Sequence, residues 1–390
     1  MDSTRHLCYT RVMDAIYLDY NATTPLDPAV SEALRPYLAP GLAGRFGNPS
    51  SAHERGHAAH EALAEARSQV AQLLGCAPPE VVFTASGSEA DNLAIKGVAA
   101  THAVGHIITS VVEHPAVLNT CRSLERRGWR VTYLPVGGDG RVDPAAVERA
   151  LCDETALVSI MHANNETGAL QPIAEIAALA HRRGALMHSD TAQSVGKVDT
   201  QVTALGVDLL TVAGHKLYAP KGVGALYVRQ GVALEPLVHG AGQEGGRRAG
   251  TENVPYIVAL GTACRVAAET MAVYAPRLQE LRDRLQARLE AAVPGLALNG
   301  PAVERLPNTL NVSFPGVDGE ALLAATPAVA ASTGSACHSG CNEPSAVLTA
   351  MGLGRERALG ALRLSLGKFT LEEDVERAAA ALAASWRRLA

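Results

Sequence analysis

The sequence lacks the features that mark several classes of protein. Its 390 residues contain no apolar run near the roughly 20 residues that a membrane-spanning helix needs. The formal net charge is -5 and no block of like charge occurs; the most basic point is the pair Arg247-Arg248, whereas nucleic-acid-binding proteins normally carry a basic face. The polar N-terminus has no apolar signal core, and Met13 is an alternative start to Met1. We therefore expect neither a membrane span nor a direct nucleic-acid contact.

Cysteine is also scarce, and its distribution excludes a disulfide framework. The seven cysteines are Cys8, Cys76, Cys121, Cys152, Cys264, Cys337 and Cys341. Their odd number and irregular spacing are typical of a reducing compartment, so we expect a cytoplasmic protein. Most of them lie in apolar, helix-like surroundings and are expected to be small buried hydrophobic residues. Cys337 and Cys341 differ, because their segment is rich in glycine and serine.

From about Val81 the sequence alternates short apolar runs with amphipathic stretches. The runs expected to be strands are 81–84, 106–110, 130–136, 156–162, 185–190, 208–214 and 224–229. Buried strands followed by helices of about ten or more residues predict an α/β fold, with a mostly parallel seven-stranded sheet covered on both faces.

The pattern changes near residue 269, where a long amphipathic helix is predicted over 268–293. Shorter strands and helices follow, ending in a helix from Leu371. Since domains usually hold roughly 100–200 residues, we predict two of them. Residues 27–268 would form the large α/β domain, and residues 1–26 with 269–390 a smaller α+β domain that carries Cys337.

Polar residues follow five of the predicted strands, each time at the same end of the strand. The clusters are TASGSEADN, EHPAV, HANNETG, HSDTAQ and AGHK. Ligands of such sheets bind outside the carboxyl ends of the strands. Five polar clusters at one edge therefore predict a binding site there.

The first cluster contains Ser86-Gly87-Ser88-Glu89, where a strand becomes a helix. Small residues let a ligand approach the backbone, and the N–H groups of a helix N-terminus can bind an anion. The alternative is an ordinary turn with Ser88 as the helix N-cap. The segment is neither a GxGxxG nor a Walker motif, so nucleotide binding is not indicated.

Lys216 and Asp190 each allow two interpretations. Lys216 follows a strongly apolar run and is either an exposed loop residue or a Schiff-base lysine. Asp190 ends an apolar strand, where it would cap the next helix or pair with a protonated pyridine nitrogen. His114 and Asn165 would each be a capping or turn residue. Alternatively, His114 would lie flat against a planar ring and Asn165 would hydrogen-bond to a ring oxygen.

Arg363 and Cys337 lie in the C-terminal part of the chain. Arg363 is in an apolar predicted strand, where arginine often pairs with a carboxylate of the protein or of an amino-acid substrate. Cys337 lies in the small, polar segment 332–341, where a nucleophilic thiol could reach a substrate. A zinc site at Cys-His-Ser-Gly-Cys is the alternative, but no second ligand pair occurs at suitable spacing.

Together these segments resemble the cysteine desulfurases, a branch of the class V aminotransferases within the fold-type I enzymes that use pyridoxal phosphate (PLP). The resemblance runs from YLDYNATTPLDP at 17–28 to LRLSLGKFT at 362–370. Between these ends, the family's landmarks occur in the family's order: FTASGSEADNLAIKG, EHPAVL, ANNETG, HSDTAQSVGK, GHKLYAPKGVGALYV, RRAGTEN and TGSAC.

The resemblance implies a PLP site. Lys216 would carry the cofactor and later move the α-proton of the substrate, while Asp190 would pair with the pyridine nitrogen. His114 would stack on the ring and shuttle protons, and Gln193 would bond to the ring hydroxyl. The groups implied to bind the phosphate are Gly87, Ser88, His215 and, from the neighbouring subunit of a homodimer, Thr251.

The resemblance also implies a substrate and a reaction. Asn165, a cofactor-binding residue as well, would hold the substrate carboxylate together with Arg363. Cys337 would attack the sulfur of L-cysteine, giving L-alanine and a persulfide for a sulfur-acceptor protein. Positioned acids and bases such as Lys216 and His114 typically contribute ~10²–10⁴ each in rate.

Two features leave the substrate open. Ala213 stands where many desulfurases have a phosphate-binding serine, and Ala336-Cys337-His338-Ser339 is similar to the selenocysteine lyases. L-Selenocysteine is therefore an alternative substrate, and a class V aminotransferase that does not act on sulfur is an alternative enzyme. Iron–sulfur cluster assembly, tRNA thiolation, DNA modification and a biosynthetic cluster all remain open as destinations of the sulfur. Cys341 would relay the persulfide or form a regulatory disulfide with Cys337.

Overall fold

The structure, a computed structural model, describes residues 15–333 and 343–390. Within these residues the chain forms twelve β-strands and twelve α-helices. The strands are β1 (Ile16–Tyr17), β2 (Val81–Thr84), β3 (His106–Ser110), β4 (Arg130–Leu134), β5 (Thr155–Ser159), β6 (Leu186–Asp190), β7 (Leu209–Ala213), β8 (Gly224–Val228), β9 (Ala297–Leu298), β10 (Thr309–Ser313), β11 (Val329–Ala330) and β12 (Ala361–Ser365). The helices are α1 (Pro28–Leu38), α2 (Glu54–Leu74), α3 (Gly87–Ala99), α4 (Pro115–Glu125), α5 (Pro144–Ala150), α6 (Ile173–Arg182), α7 (Val202–Leu205), α8 (Val254–Ala292), α9 (Gly319–Ala324), α10 (Ala346–Ala350), α11 (Arg355–Leu359) and α12 (Glu372–Leu389).

Seven strands form the main sheet, in the order β2-β8-β7-β6-β5-β3-β4. The strands β3 to β7 pair in parallel, and β8 is antiparallel to both of its neighbours. The predicted α/β fold with a mostly parallel seven-stranded sheet is confirmed. Strand ends differ from the predicted ones by a few residues, because the polar residues after each strand turn away from the sheet as loops.

Two smaller sheets complete the fold. β10 lies between β9 and β12 in an antiparallel sheet, while β1 pairs in parallel with β11. The first strand of the chain therefore packs beside elements near its C-terminus. This places the segment that follows β1 against both the C-terminal sheet and the large one.

Two predictions about helix ends are wrong. The N-cap of α3 is Ser86, not Ser88, because the extended backbone of Ser86 (φ -171°, ψ 167°) lets its Oγ accept from the N–H of Glu89 at 3.1 Å. Helix α8 begins at Val254 rather than near residue 268. Asn253 caps this earlier start, and a proline fills the first turn, where it needs no hydrogen-bond donor.

Apolar side chains pack in separate cores. The large sheet has one core on each face, represented by Ile176 and Leu260 on one side and Ile95 on the other. Another core joins the C-terminal sheet to α12 and the second half of α8, through residues such as Leu285. Helix α8 contributes to two cores, so the predicted boundary at 268/269 falls inside one helix. The division into two domains stays a prediction.

Among the described helices, only α8 is long and apolar enough to meet the criteria for a membrane span. Several of its apolar residues, among them Ile257, Leu260 and Leu285, are nevertheless buried in the cores of the protein. The helix is therefore explained as a core helix.

Candidate active site

Lys216 lies at the end of a single 3-10 turn, Gly214–Lys216, that follows β7. The N–H groups of Leu217 and Ala219 both bond to the carbonyl of Gly214, at 2.9 and 3.1 Å, so the loop folds back on itself. The Lys216 side chain is half-buried, and its Nζ donates to the carbonyl oxygens of Asn21 at 2.5 Å and Ala22 at 2.8 Å. The amine is therefore fixed at the carboxyl edge of the sheet.

Asp190 and His114 lie at the same edge as Lys216. Asp190 ends β6, and its Oδ1 accepts from the N–H of Ala192 at 2.9 Å. Burial raises the pKa of Asp190, while this N–H, His114 and Lys216 oppose the rise. His114 caps α4 and its Nδ1 accepts from the N–H of Ala116 at 3.1 Å, which leaves its proton on Nε2. Burial lowers the pKa of His114, so the ring is neutral at pH 7.

Arg363, on β12, contacts Asn165 in the loop after β5. The backbone carbonyl of Asn165 accepts from Nη1 of Arg363 at 3.1 Å, and Nη2 of Arg363 pairs with Oδ1 of Asp19 at 2.8 Å. Arg363 is buried, and its Nε has no hydrogen-bond partner among the described residues. The predicted carboxylate partner is thus supplied by the protein, while one buried donor of the guanidinium remains unsatisfied.

Gly87 and Ser88 form the first turn of α3, and His215 lies in the 3-10 turn that follows β7. A Cβ on Gly87 would lie 3.0 Å from the Cβ of Ala213, so glycine lets the helix start close to the end of β7. The first N–H groups of a helix have no partner within it and can bind an anion. His215 is half-buried, with Nδ1 3.2 Å from Oγ1 of Thr23. Burial, followed by the charge of Lys216, lowers the pKa of His215 to about 4.

Gln193 lies in the loop after Asp190, where its side chain is buried. Its Nε2 donates to the carbonyl of Asn21 at 2.9 Å, the same oxygen that accepts from Lys216. Lys197 supports this loop by donating from Nζ to the carbonyl of Gln193 at 2.8 Å. Burial lowers the pKa of Lys197 to about 7.

Comparison with known proteins identifies the family. Residues 16–378 match the family model described as Aminotransferase class-V. The chain belongs to the class V aminotransferases. It is 48% identical over 368 residues to a protein from Trichormus azollae named "Cysteine desulfurase", covering 94% of this chain and 91% of that protein.

Two solved structures extend the likeness to the class V fold. One, a "NIFS-LIKE PROTEIN", has a TM-score of 0.88 and 37% identity, covering 95% of this chain and 98% of that one. The other, described as "SspA in complex with cysteine", has a TM-score of 0.80 and 38% identity, covering 92% of this chain and 100% of that one.

Class V aminotransferases use PLP, and the residues at the carboxyl edge fit this cofactor. Gly87 lets α3 begin close against the end of β7, and the first N–H groups of this helix can bind a phosphate. Asp190 is a buried carboxyl that retains a single backbone donor among the described residues, so a protonated ring nitrogen would suit it. Lys216 presents a half-buried amine whose charge acts on Asp190.

The sequence did not reveal the residues that hold Arg363 and Lys216 in place. Asp19 pairs with Arg363, and the carbonyls of Asn21 and Ala22 hold Lys216. The available signal for these residues is the segment YLDYNATTPLDP, which is the first stretch of the chain that resembles the family. The roles of Asn21 and Ala22 have no sequence signal, because every residue has a backbone carbonyl.

One described residue of the predicted site, Thr251, does not contact the others. Thr251 is exposed in the loop before α8, and no hydrogen bond among the described residues joins it to the other predicted site residues. Cys337 lies outside the described residues. The N–H of Arg363 donates to the carbonyl of Ser332 at 2.7 Å.

Proposed function

We propose that this chain is a PLP-dependent cysteine desulfurase, which converts L-cysteine to L-alanine and takes the sulfur as a persulfide on Cys337. One observation carries the proposal: Lys216, Asp190 and His114 meet at one sheet edge in a class V chain that is 48% identical to a protein named cysteine desulfurase. The similar structure in complex with cysteine supports the same substrate.

The residues that would hold PLP fall into two groups. The phosphate would bind the first turn of α3 at Gly87 and Ser88, together with His215. The ring would lie against His114, with Asp190 at its nitrogen and Gln193 at its hydroxyl. When bound and linked to Lys216, PLP supplies an electron sink for charge that develops next to the substrate's amine.

Lys216 and His114 would move protons at the substrate. The amine of Lys216 takes the proton from the α-carbon of cysteine and returns one to form alanine. When the Lys216 amine is free, the carbonyls of Asn21 and Ala22 accept from it, which holds it at the carboxyl edge of the sheet. His114 is neutral and carries its proton on Nε2, so it can donate to the departing side of the substrate.

Arg363 would bind the substrate carboxylate, with Asn165 beside it. The guanidinium is already oriented by Asp19 and by the Asn165 carbonyl. Its buried Nε is a donor without an acceptor among the described residues, and a buried unpaired donor gains a charge-assisted bond from a carboxylate.

The sulfur transfer would run through Cys337. Its thiolate attacks the substrate sulfur, forming the S–S bond while the C–S bond breaks, and the electron pair stays on the carbon fragment. That fragment is protonated and leaves as alanine. The persulfide sulfur then passes to the thiol of a sulfur-acceptor protein.

We propose a homodimer in which the exposed Thr251 reaches the phosphate site of the neighbouring subunit. The irregularly placed cysteines support a cytoplasmic location. The large domain would bind the cofactor, and the smaller one would carry Cys337.

The test is to supply the purified chain with PLP, L-cysteine and a reductant, and to measure sulfide and alanine. We expect a yellow protein and equal amounts of the two products. Cys337→Ala should lose sulfur transfer to an acceptor thiol, whereas the matched variant Cys152→Ala, at the opposite sheet edge, should keep it. Full transfer by Cys337→Ala would refute the assigned nucleophile, and a colourless wild-type protein would refute the function.

The presence of Ala213 beside the phosphate site favours a second candidate, a selenocysteine lyase. Supplying L-selenocysteine to the wild type and to Cys337→Ala separates the two. L-Cysteine is supplied to both proteins in parallel. A lyase would turn over L-selenocysteine faster than L-cysteine and would still release selenium from Cys337→Ala, whereas a desulfurase would turn over L-cysteine in the wild type and lose that activity in Cys337→Ala.

A further inference from the structure

Tyr218 has an unusual backbone conformation two residues after Lys216. Its φ is 64°, and the only other described non-glycine residue with a positive φ is Glu244. A left-handed conformation is unfavourable for a side chain with a Cβ, and glycine normally fills such positions. Residues held in this way tend to occur at functional sites, where the surrounding structure imposes the conformation.

The left-handed backbone at Tyr218 is what closes the loop around Lys216. It reverses the chain, so that the N–H of Ala219 reaches the Gly214 carbonyl at 3.1 Å. Leu217 bonds to the same carbonyl at 2.9 Å. Glycine at position 218 would allow this turn without strain, so the tyrosine side chain must supply the compensating contacts.

Those contacts come from distant parts of the chain. The Tyr218 hydroxyl lies 2.6 Å from the hydroxyl of Tyr274 on α8, and it accepts from the backbone N–H of Lys368 at 2.8 Å. The ring meets Phe369 edge-on, with centroids 6.2 Å apart, and lies at the same distance from Tyr20. Tyr218 is buried, whereas Tyr274, Lys368 and Phe369 are half-buried.

The N-terminal segment encloses the same loop from the other side. The N–H of Tyr218 donates to Oγ1 of Thr24 at 2.8 Å, and its carbonyl accepts from the N–H of Asp27 at 3.0 Å. Thr24 also donates from its N–H to the carbonyl of His215 at 3.0 Å. Just before Thr24 stand the two carbonyls that hold the Lys216 amine. Tyr218 therefore fixes both the backbone around Lys216 and the N-terminal segment whose carbonyls accept from the Lys216 side chain.

We propose that Tyr218 is a positioning residue for Lys216: the contacts of its hydroxyl hold a strained loop closed and thereby fix the lysine amine at the site. The inference rests on the proposed function for its effect on turnover. Its effect on Lys216 itself does not need the cofactor.

The test compares Tyr218→Phe with the wild type in the full chain. The variant keeps the aromatic ring and the unfavourable left-handed backbone conformation at position 218. It loses both hydrogen bonds of the hydroxyl. With PLP removed, the rate at which acetic anhydride labels Lys216, read by mass spectrometry, should rise about fivefold, because a loosened amine reacts more readily. With PLP bound, kcat for L-cysteine should fall by about tenfold or more while KM changes less than twofold, since misplacement by about 1 Å can cost 10²-fold.

Two further variants keep the proposal falsifiable. Tyr274→Phe removes one hydroxyl partner and leaves Lys368 in place, so it should move both readouts in the same direction but less far. Tyr133→Phe is the matched control: its hydroxyl bonds to Glu125 at 2.9 Å on the edge strand β4, and both readouts should match the wild type.

The outcomes separate this inference from the proposed function. Labelling rates and kcat within twofold of the wild type in both Tyr218→Phe and Tyr274→Phe would overturn the positioning role. If Tyr218→Phe fails to fold, an unchanged Tyr274→Phe would overturn it alone. A wild-type chain that binds no PLP would refute the proposed function, while the labelling comparison would still decide the role of Tyr218.

Discussion

Asp208 and Asp190 stand at opposite ends of neighbouring strands of the large sheet, and their surroundings differ. Asp208, before β7, accepts from His181 Nε2 at 2.8 Å, pairs with Arg229 Nη2 at 2.6 Å and accepts from the N–H of Met187 at 2.6 Å. Asp190, at the end of β6, keeps one backbone donor among the described residues. The charge of Asp208 is matched within the protein, whereas that of Asp190 is left available to a ligand.

The histidines at the two edges repeat this difference. At the amino edge, both ring nitrogens of His106 are engaged, by Thr155 at 2.9 Å and Thr132 at 2.8 Å. At the carboxyl edge, His114 uses Nδ1 to cap α4 and has its Nε2 proton left for a substrate. The amino edge thus stabilises the fold, while the carboxyl edge keeps donors and charges for chemistry.

The largest effect that would test this contrast is expected at Lys216. Lys216→Ala removes the amine that would link to PLP and move the α-proton, so kcat should fall by more than about 10³-fold. Lys221→Ala, an exposed lysine in the same loop region, is the matched control and should stay within twofold. Sulfide release from L-cysteine measures both. Comparable losses in the two variants would mean that the loop, rather than the amine, matters.

The same substitution at the two aspartates should have opposite consequences. Asp190→Asn removes the charge that would pair with the ring nitrogen, so kcat should fall by about 10²-fold with little change in stability. Asp208→Asn disturbs buried charge-assisted hydrogen bonds and should lower the free energy of unfolding by about 2–3 kcal/mol. Denaturant unfolding and sulfide release decide between them. A stability loss at Asp190 equal to that at Asp208 would remove the distinction between the edges.

The sequence predicted the carboxyl edge well, since the relevant signal is local. Apolar runs mark buried strands, and the polar residues after each run must lie at one edge once the strands are parallel. The helix caps were harder to predict. Ser86 and Ser88 both suit an N-cap, and the backbone angles that choose Ser86 depend on packing.

The supports of Lys216 could not be predicted from the sequence, for a different reason. Asn21 lies 195 residues before Lys216 and contributes a carbonyl, which every residue possesses. The left-handed backbone at Tyr218 was equally hidden, because sequence rules expect glycine or asparagine there. In both cases the conformation is set by contacts between distant segments, and local preference does not reveal it.

A smaller effect is expected from helix caps at and away from the site. Ser86→Ala removes the cap of α3, and Asp318→Ala removes that of α9, where Oδ1 accepts from the N–H of Ala321 at 3.0 Å. Each should lower the free energy of unfolding by about 1 kcal/mol. Only Ser86→Ala should also weaken PLP binding, by roughly threefold in the dissociation constant, because the first turn of α3 is the proposed phosphate site. An unchanged PLP affinity in Ser86→Ala would show that the cap of α3 does not contribute to binding the phosphate.

The smallest effect concerns the acid sensitivity of the two edges. The pKa of His106 and that of His215 are each lowered from 6.5 to about 4, chiefly by burial. At a pH between about 4 and 6.5, the unfolded chain binds protons at these histidines that the folded chain does not bind. Stability from each neutral histidine is therefore complete above pH 6.5 and is lost as the pH falls toward 4.

Bound PLP should act on only one of the two histidines. A phosphate beside His215 favours the protonated ring and would raise its pKa, which reduces its share of the acid-linked loss, while His106 is at the opposite edge and should not respond. Thermal unfolding between pH 4 and 7 measures this. His106→Gln should weaken the pH dependence of Tm with and without PLP, by roughly 1–2 °C. His215→Gln should weaken it only without PLP, and an equal effect in both conditions would show that the phosphate lies away from His215.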